Sequence, residues 1–404
     1  MCTIFEMDGG NEMNRRFVGK TGIAVSEIGL GCEHLQGLPK EQVKAVCEAA
    51  LSSGINIFDV FMSEPNVRDF IGEAIKGHRE KVCIQGHIGA AWKDDQYART
   101  TDAKDCRIFF EDLLSRLQTD YIDFGMLHFV DTEEDYKKVF ESDMIQYALQ
   151  LKAEGKIKAL GMSSHNPVTA KRAVETGLLD LIMFSINPAF DLLPEVAIDD
   201  LFTFKTFTEN RFKGIDPSRE QLYRTCEKMG VGITVMKTLA AGMLFSEKMS
   251  LFGAPLNEYQ CIHYALDRPA VASALIGCKT PEEVFKAVQY ETVSDREKEY
   301  SVALGKAGAY SAQGKCMYCN HCLPCPKHID IAAVNRYLDL STSGTVSPTI
   351  QAHYNALDAH GSDCISCGAC EKRCPFQVKV SERMREVATV FGKWKIRHGK
   401  QSKS

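Results

Sequence analysis

The sequence predicts an α/β chain, a (β/α)8 TIM barrel followed by a smaller, mainly α-helical domain. Three observations carry this expectation. Between Glu27 and Glu291, short apolar β-branched runs alternate with longer amphipathic stretches, the periodicity of repeated βα units around a parallel sheet. Eight such units fit in this span, the number that closes into a barrel. Beyond Glu291 that rhythm stops and two dense cysteine runs take over.

Taken in order, residues 1–13 form an N-terminal extension and residues 14–294 the barrel. The opening segment RRFVGKTGIAVSEIG reads as a hairpin turning at Gly22, placed to plug the barrel base. The strands expected are Glu27–Cys32, Ile55–Val60, Val82–Gly86, Tyr121–Leu127, Ala159–Met162, Leu181–Ser185, Ile233–Met236 and Ala272–Ile276. Helical patterns separate them at Glu41–Leu51, Val67–Ile75, Asp105–Leu117, Ser142–Ala153, Val168–Glu175, Arg219–Lys228, Glu258–Leu266 and Pro281–Tyr290. Several of these end in Gly, as at Gly54, Gly77, Gly155, Gly177 and Gly230, where a left-handed cap needs no Cβ. A doubly wound open sheet is the competing architecture, but the GxGxxG turn it places after the first strand is missing.

Asn187 to Gly214 is long and carries FTFKTFTENRF, which reads as a loop with an extra element at the substrate mouth. The Phe-rich part, Phe202–Phe212, would offer an apolar face. Residues 295–392 form the second domain. Asp295–Ala309 is expected to be a helix leading into the first cysteine run, with further helices at Ile331–Leu340, Thr349–Leu357 and Ser381–Phe391. Residues 393–404 read as a short, solvated basic tail.

With 404 residues, 45% hydrophobic and 25% charged, the chain has the composition of a globular protein with a real core. A formal net charge of −5, with no basic stripe, gives no reason to expect nucleic acid as a partner. No apolar run approaches a membrane span and the start lacks the layout of a signal peptide, so a cytoplasmic protein is expected. Sixteen cysteines imply a reducing, oxygen-poor interior.

Half of those cysteines lie in KCMYCNHCLPCP and DCISCGACEKRCP. Each run has three cysteines at x2 spacing and a closing Cys-Pro, the bacterial ferredoxin pattern in which three thiolates hold one [4Fe–4S] cube and the fourth ligates its neighbour. This pairs Cys316, Cys319, Cys322 and Cys374 on one cluster, and Cys364, Cys367, Cys370 and Cys325 on the other. The long spacer between the runs suits a helical ferredoxin-like module better than a compact ferredoxin. Structural zinc also suits four thiolates, and the doubled Cys-Pro ending argues against it. A disulfide scaffold fits poorly at the end of so long a chain.

Catalytic groups in (β/α)8 enzymes come from the C-terminal strand ends. Here these are Cys32, Glu33, His34, Asp59, His87, His128, Ser163, Ser164, His165, Asn166, Asn187, Lys237, Cys278 and Lys279. Four of the eleven histidines, His34, His87, His128 and His165, fall at these ends. Imidazole titrates near neutral pH, and Asp59 beside one would fix its tautomer, so acid–base chemistry is one consequence. A zinc or non-haem iron site is the other, though neither HxH nor HExxH spacing supports it.

The chain resembles the aldo-keto reductases, and more closely the subset carrying a C-terminal two-cluster ferredoxin domain, from about Asn14 to Gly392. The resemblance rests on RRFVGKTGIAVSEIGLGC, GINIFD, LQTDYIDFGMLH, IKALGMSSH, GVGITVMKTLAAGML, ALIGCKTPEEV and the cysteine motifs. It implies carbonyl reduction by hydride from NADPH, using a tetrad of Asp, Tyr, Lys and His. The Asp falls on Asp59 and the His on His128. Where the Tyr is expected stand Ser63 and Glu64, with no Tyr before Tyr97, and His87 replaces the Lys. His87 would then serve as acid, with Glu64 sharing the role. The resemblance also puts Ser163 and Ser164 on the nicotinamide amide, while Met183 stands where a Gln is expected. Lys279 and Thr280 would hold the 2′-phosphate, with Glu283 where relatives carry Arg or Gln, and Lys237 joins this cofactor set.

The leading reading is an oxidoreductase in which a small organic substrate binds near Asp59, His87 and His128. The two clusters relay electrons, NADP(H) is a candidate cofactor, and a ferredoxin or flavodoxin is a candidate electron partner. A non-redox lyase or isomerase with structural clusters is the alternative, favoured by the loss of Tyr and Lys. A third reading makes the barrel a docking scaffold of an electron carrier.

Overall fold

The computed structural model describes residues 13–192, 215–245, 250, 252, 254–306, 316, 322–341, 346, 348–374 and 377–392. Residues Arg15–Phe17 (β1) and Ala24–Ser26 (β2) pair antiparallel, forming the hairpin expected around Gly22. Ile28–Gly31 (β3), Ile57–Val60 (β4) and Cys83–Ile88 (β5) then begin the parallel sheet. An unforeseen antiparallel hairpin follows, Ala90–Lys93 (β6) and Gln96–Arg99 (β7). The sheet resumes with Ile122–Leu127 (β8), Ile157–Ser164 (β9), Leu181–Ser185 (β10), Gly232–Met236 (β11) and Val271–Gly277 (β12). Together β3, β4, β5, β8, β9, β10, β11 and β12 close into a barrel, β12 pairing back onto β3.

These strands read as continuous apolar runs because helices cover their outer faces while side chains fill the interior. β4 and β8 are buried along their whole length. Val18 and Val25 of the N-terminal hairpin pack with Ile57, Phe124, Leu181 and Leu275 from the barrel strands, which plugs the base. The hairpin is held there by the Lys20 amide, which donates to the Gly230 carbonyl. Gly230 caps the helix Pro217–Met229 in the left-handed region, a conformation that costs Gly little.

Helices flank the barrel where expected, but several begin earlier. Pro65, Pro167 and Pro217 open their helices, behind Glu64, Asn166 and Asp216 as N-caps. Proline fits a first turn whose N–H groups lack intrahelical partners anyway. The helix Glu133–Phe140, capped by Thr132, was not anticipated.

Beyond the barrel, the single helix expected at Asp295–Ala309 is instead two, Asp295–Lys298 and Ser301–Lys306. Tyr300 breaks it: fully buried, it donates its hydroxyl to Asp267 at 3.0 Å and accepts from Arg268 at 3.1 Å. Helices Ile331–Ser341, Pro348–Asn355 and Val380–Val390 follow close to expectation. Their buried Val334, Leu338, Tyr354, Met384 and Val387 belong to the same hydrophobic cluster as the outer barrel layer. The Phe-rich stretch 202–212, the N-terminal residues 1–12 and the basic tail 393–404 lie outside the described residues. Among the described residues, no helix is long and apolar enough to cross a membrane.

Candidate active site

Two polar arrays occupy the C-terminal mouth of the barrel. The first starts at Asp59 in β4, which is 2% exposed. Its Oδ1 accepts from Gln85 Nε2 at 2.7 Å and faces His87 Nε2 at 3.1 Å. Gln85 is held from across the barrel, its Oε1 accepting from Thr234 at 2.9 Å, so its amide N–H groups point at Asp59. His87 Nδ1 lies 2.8 Å from His128 Nδ1, and His128 Nε2 lies 2.5 Å from the hydroxyl of Tyr97. The line of groups is therefore Asp59, His87, His128, Tyr97. Phe61 stacks on His128 with ring centroids 5.8 Å apart and meets His87 and Tyr97 edge-on.

Tyr97 is the residue that sequence reasoning passed over. It belongs to β7 in the unforeseen hairpin, opposite Trp92. The turn is made by Asp94 and Asp95, both with positive φ, which gives a two-residue turn whose twist matches its strands. Gly89 opens the hairpin at φ +100°, and a Cβ there would meet the Thr100 carbonyl at 2.6 Å. Ser63, standing where the resemblance expects a Tyr, donates its hydroxyl to the Ala91 carbonyl of β6 at 2.5 Å. The vacated position thus anchors the element that brings another Tyr to the site. Arg99 lies over Phe129 at 4.1 Å and fixes the far end of the hairpin.

Tyr97 is 40% exposed, while its hydroxyl is engaged by His128. Burial pushes its phenol up to about 12. For His128, burial first and the neighbouring His87 next hold the imidazole well below its ordinary value, so that it is neutral.

The second array is Asp131, His165 and Lys237. Asp131 Oδ2 faces His165 Nδ1 at 3.0 Å, and Lys237 Nζ lies 3.0 Å from His165 Nε2. Ser164 donates to Asp131 at 3.0 Å, and Ser163 accepts from the Phe129 amide at 2.8 Å. Burial lowers both His165 and Lys237. Asp131 is subject to burial, which raises it, but hydrogen bonds and charge from His165 leave its carboxyl below the usual range.

Other candidates fall elsewhere. Glu64 accepts from the amides of Asn66 and Val67, at 3.3 and 2.8 Å, as the cap of the helix Pro65–Ala74. His34 is exposed and packs against Gly277 rather than joining the other histidines. Thr280 caps the helix Pro281–Val288, and Glu283 accepts from the Lys279 amide, leaving the Lys279 side chain exposed at that helix start. Among the described residues, no three His, Cys, Asp or Glu side chains are placed to hold a single metal ion.

In the C-terminal part, Cys325, Cys364, Cys367 and Cys370 line one cavity with Ile329, Ile331 and Met384. Lys327 N donates to Cys325 Sγ and Ser366 N to Cys364 Sγ, each at 3.4 Å, and Val378 N to Cys374 Sγ at 3.5 Å. Arg373 ties the two cysteine runs together through the Cys322 and Pro324 carbonyls, both at 2.7 Å. Cys319 lies outside the described residues. The scattered cysteines differ: burial pushes Cys47, Cys83, Cys106 and Cys278 up to about 12, which leaves them inert as thiols.

Comparison with known proteins agrees with the barrel. The model of the Aldo/keto reductase family matches residues 27–254. An uncharacterized oxidoreductase, YqkF of Bacillus subtilis, is 25% identical over 296 residues, 69% of this chain and 90% of that protein. Probable aldo-keto reductase 1 of Glycine max is 31% identical over 251 residues, 60% of this chain and 63% of that one. Aldo-keto reductase AKR11C1 from Bacillus halodurans, in its holo form, shares the fold with a TM-score of 0.58 at 22% identity, covering 74% of this chain and 98% of that one. The chain belongs to the aldo/keto reductase family, and is by that membership an oxidoreductase.

Proposed function

We propose that the protein is an iron–sulfur oxidoreductase that reduces a small carbonyl compound at the barrel mouth, with NADP(H) as hydride donor. Two [4Fe–4S] clusters in the C-terminal part would bring the same two electrons, one at a time, from a reduced carrier of the ferredoxin or flavodoxin kind when NADP(H) is not the donor. NADP(H), when bound, supplies hydride to the carbonyl carbon. The chain's own groups orient the substrate and hold the proton its oxygen must receive. Lys237 and the exposed Lys279 suit the anionic parts of the cofactor, and the Asp59 array suits the substrate oxygen.

The observation that carries the cluster half is the cavity lined by Cys325, Cys364, Cys367 and Cys370. These are the four that the doubled motif assigns to one cluster, drawn from runs far apart in sequence. The backbone N–H groups aimed at cysteine sulfur are of the kind that tunes cluster potential. A cube carries its thiolates at separate corners, so four ligands around it need not converge as they do on one ion.

Anaerobic purification with iron and sulfide analysis tests this half. About eight of each per chain is expected for two cubes. Stoichiometric zinc without sulfide would overturn it. NADPH oxidation with a panel of aldehydes and ketones tests the barrel half: turnover supports it, and no NADPH binding by titration contradicts it.

A further inference from the structure

We infer that Tyr97 is the proton donor to the substrate oxygen, fed through His128 and His87 by a proton held beside Asp59. The inference rests on the carbonyl-reduction reading above. Four facts converge on it. Tyr97 is the only phenol hydrogen-bonded into either mouth array among the described residues, and it reaches His128 at 2.5 Å. The two imidazoles meet nitrogen to nitrogen at 2.8 Å, so one must donate while the other accepts. Asp59 stands at the inner end, 3.1 Å from His87 Nε2. Tyr97 alone of the four is exposed, at 40%, where a substrate would arrive.

The valences of this line allow two states that differ by one proton. In the loaded state His87 carries hydrogen on both nitrogens, one donated to Asp59 and one to His128 Nδ1. His128 then carries its hydrogen on Nε2 and donates to the Tyr97 oxygen, which leaves the Tyr97 O–H directed outward. Hydride addition to the carbonyl carbon breaks the C=O π bond and leaves an alkoxide. That alkoxide takes the Tyr97 proton, Tyr97 takes the one on His128 Nε2, and His128 takes the one on His87 Nδ1. His87 ends neutral, still donating Nε2–H to Asp59. The two outer hydrogen bonds are now reversed, with His128 Nδ1–H donating to His87 and Tyr97 O–H donating to His128. One hydride and one proton have been consumed, and the substrate has become an alcohol. A single proton from solvent reloads the line.

Alcohol oxidation runs the same line backwards. The charged and titratable groups facing it are Arg99 and Glu33 beside Tyr97, Arg99, Arg68 and His165 beside His128, and Asp59 beside His87. Tyr97 is catalytic in this scheme, while His87 and His128 act through it.

Two measurements on the full-length holoenzyme test it. Tyr97→Phe should lower kcat for NADPH-dependent carbonyl reduction by tenfold or more, of the order of 10²-fold, with the Kd for NADPH unchanged. A fall of less than tenfold would overturn the assignment. Nitrogen-15 spectra of selectively labelled histidines supply a readout that does not depend on turnover. Tyr97→Phe and His87→Gln should each shift the His128 ring signals, and Tyr97→Phe leaving them unmoved would overturn the shared proton. If the wild-type protein reduces no carbonyl, the reduction reading fails by itself and the histidine spectra still decide whether the line exists.

Discussion

The two arrays at the barrel mouth are built from the same core, a buried histidine against an aspartate, yet they end differently. On the Asp59 side the line passes through a second imidazole to a phenol. On the Asp131 side it ends on an ammonium, Lys237. A phenol next to a neutral imidazole can give and regain a proton, whereas a protonated lysine offers N–H donors and positive charge. On the proposed function the contrast would divide labour: the first array would manage protons on the substrate, and the second would bind an anionic cofactor.

Breaking the first array at its inner end should have the largest effect. Asp59→Ala removes the carboxylate that holds His87, and kcat is expected to fall about 10³-fold with the fold intact by circular dichroism. Retained turnover would remove Asp59 from the site. Breaking the second array should act on binding instead. Lys237→Met is expected to raise the Kd for NADPH about tenfold, the size of one lost charge-assisted contact, with kcat within about twofold.

The histidines also leave a signature in stability. Burial holds His128 below its ordinary value in the folded state. Below about pH 6.5 the unfolded chain therefore binds more protons than the folded one, and stability falls as pH falls. Between about pH 6.5 and 5.5 the loss from one such histidine is about 1 kcal/mol. The Tm of His128→Gln should consequently depend less on pH in that window than the wild-type Tm. An equal slope for both proteins would show that His128 takes up its proton in the folded state.

The smallest effect sharpens the origin of Tyr97. Ser63→Ala removes the hydroxyl that anchors the β6–β7 hairpin at Ala91, at a cost of about 1 kcal/mol. Turnover is expected to drop severalfold through a loosened Tyr97, and thermal stability only slightly. Full activity would mean the hairpin is held without it.

The difference between what the sequence revealed and what it hid follows the range of the forces involved. The strands were legible because burial on both faces leaves long apolar runs, and Leu181–Ser185 falls within its expected bounds. The cysteine spacing was legible as local chemistry, and Cys325, Cys364, Cys367 and Cys370 share one cavity. Tyr97 was hidden because it reaches the site on a hairpin from β5, not on the loop after β4. A signal existed: AAWKDDQYAR alternates around Asp94 and Asp95, but Asp-Asp is a weaker turn pair than Asp-Gly. The capping use of Glu64 was hidden for a related reason, since a carboxylate before Pro65 serves a helix start as readily as a substrate. Tyr300 split an expected helix because a buried phenol with two partners outweighed local propensity.

The division between the arrays is tested most directly by measuring kcat and NADPH Kd for Tyr97→Phe and Lys237→Met side by side, on anaerobically purified full-length protein. Loss of kcat with unchanged Kd for Tyr97→Phe, and the reverse for Lys237→Met, is the predicted result. The same parameter changing in both variants would contradict it.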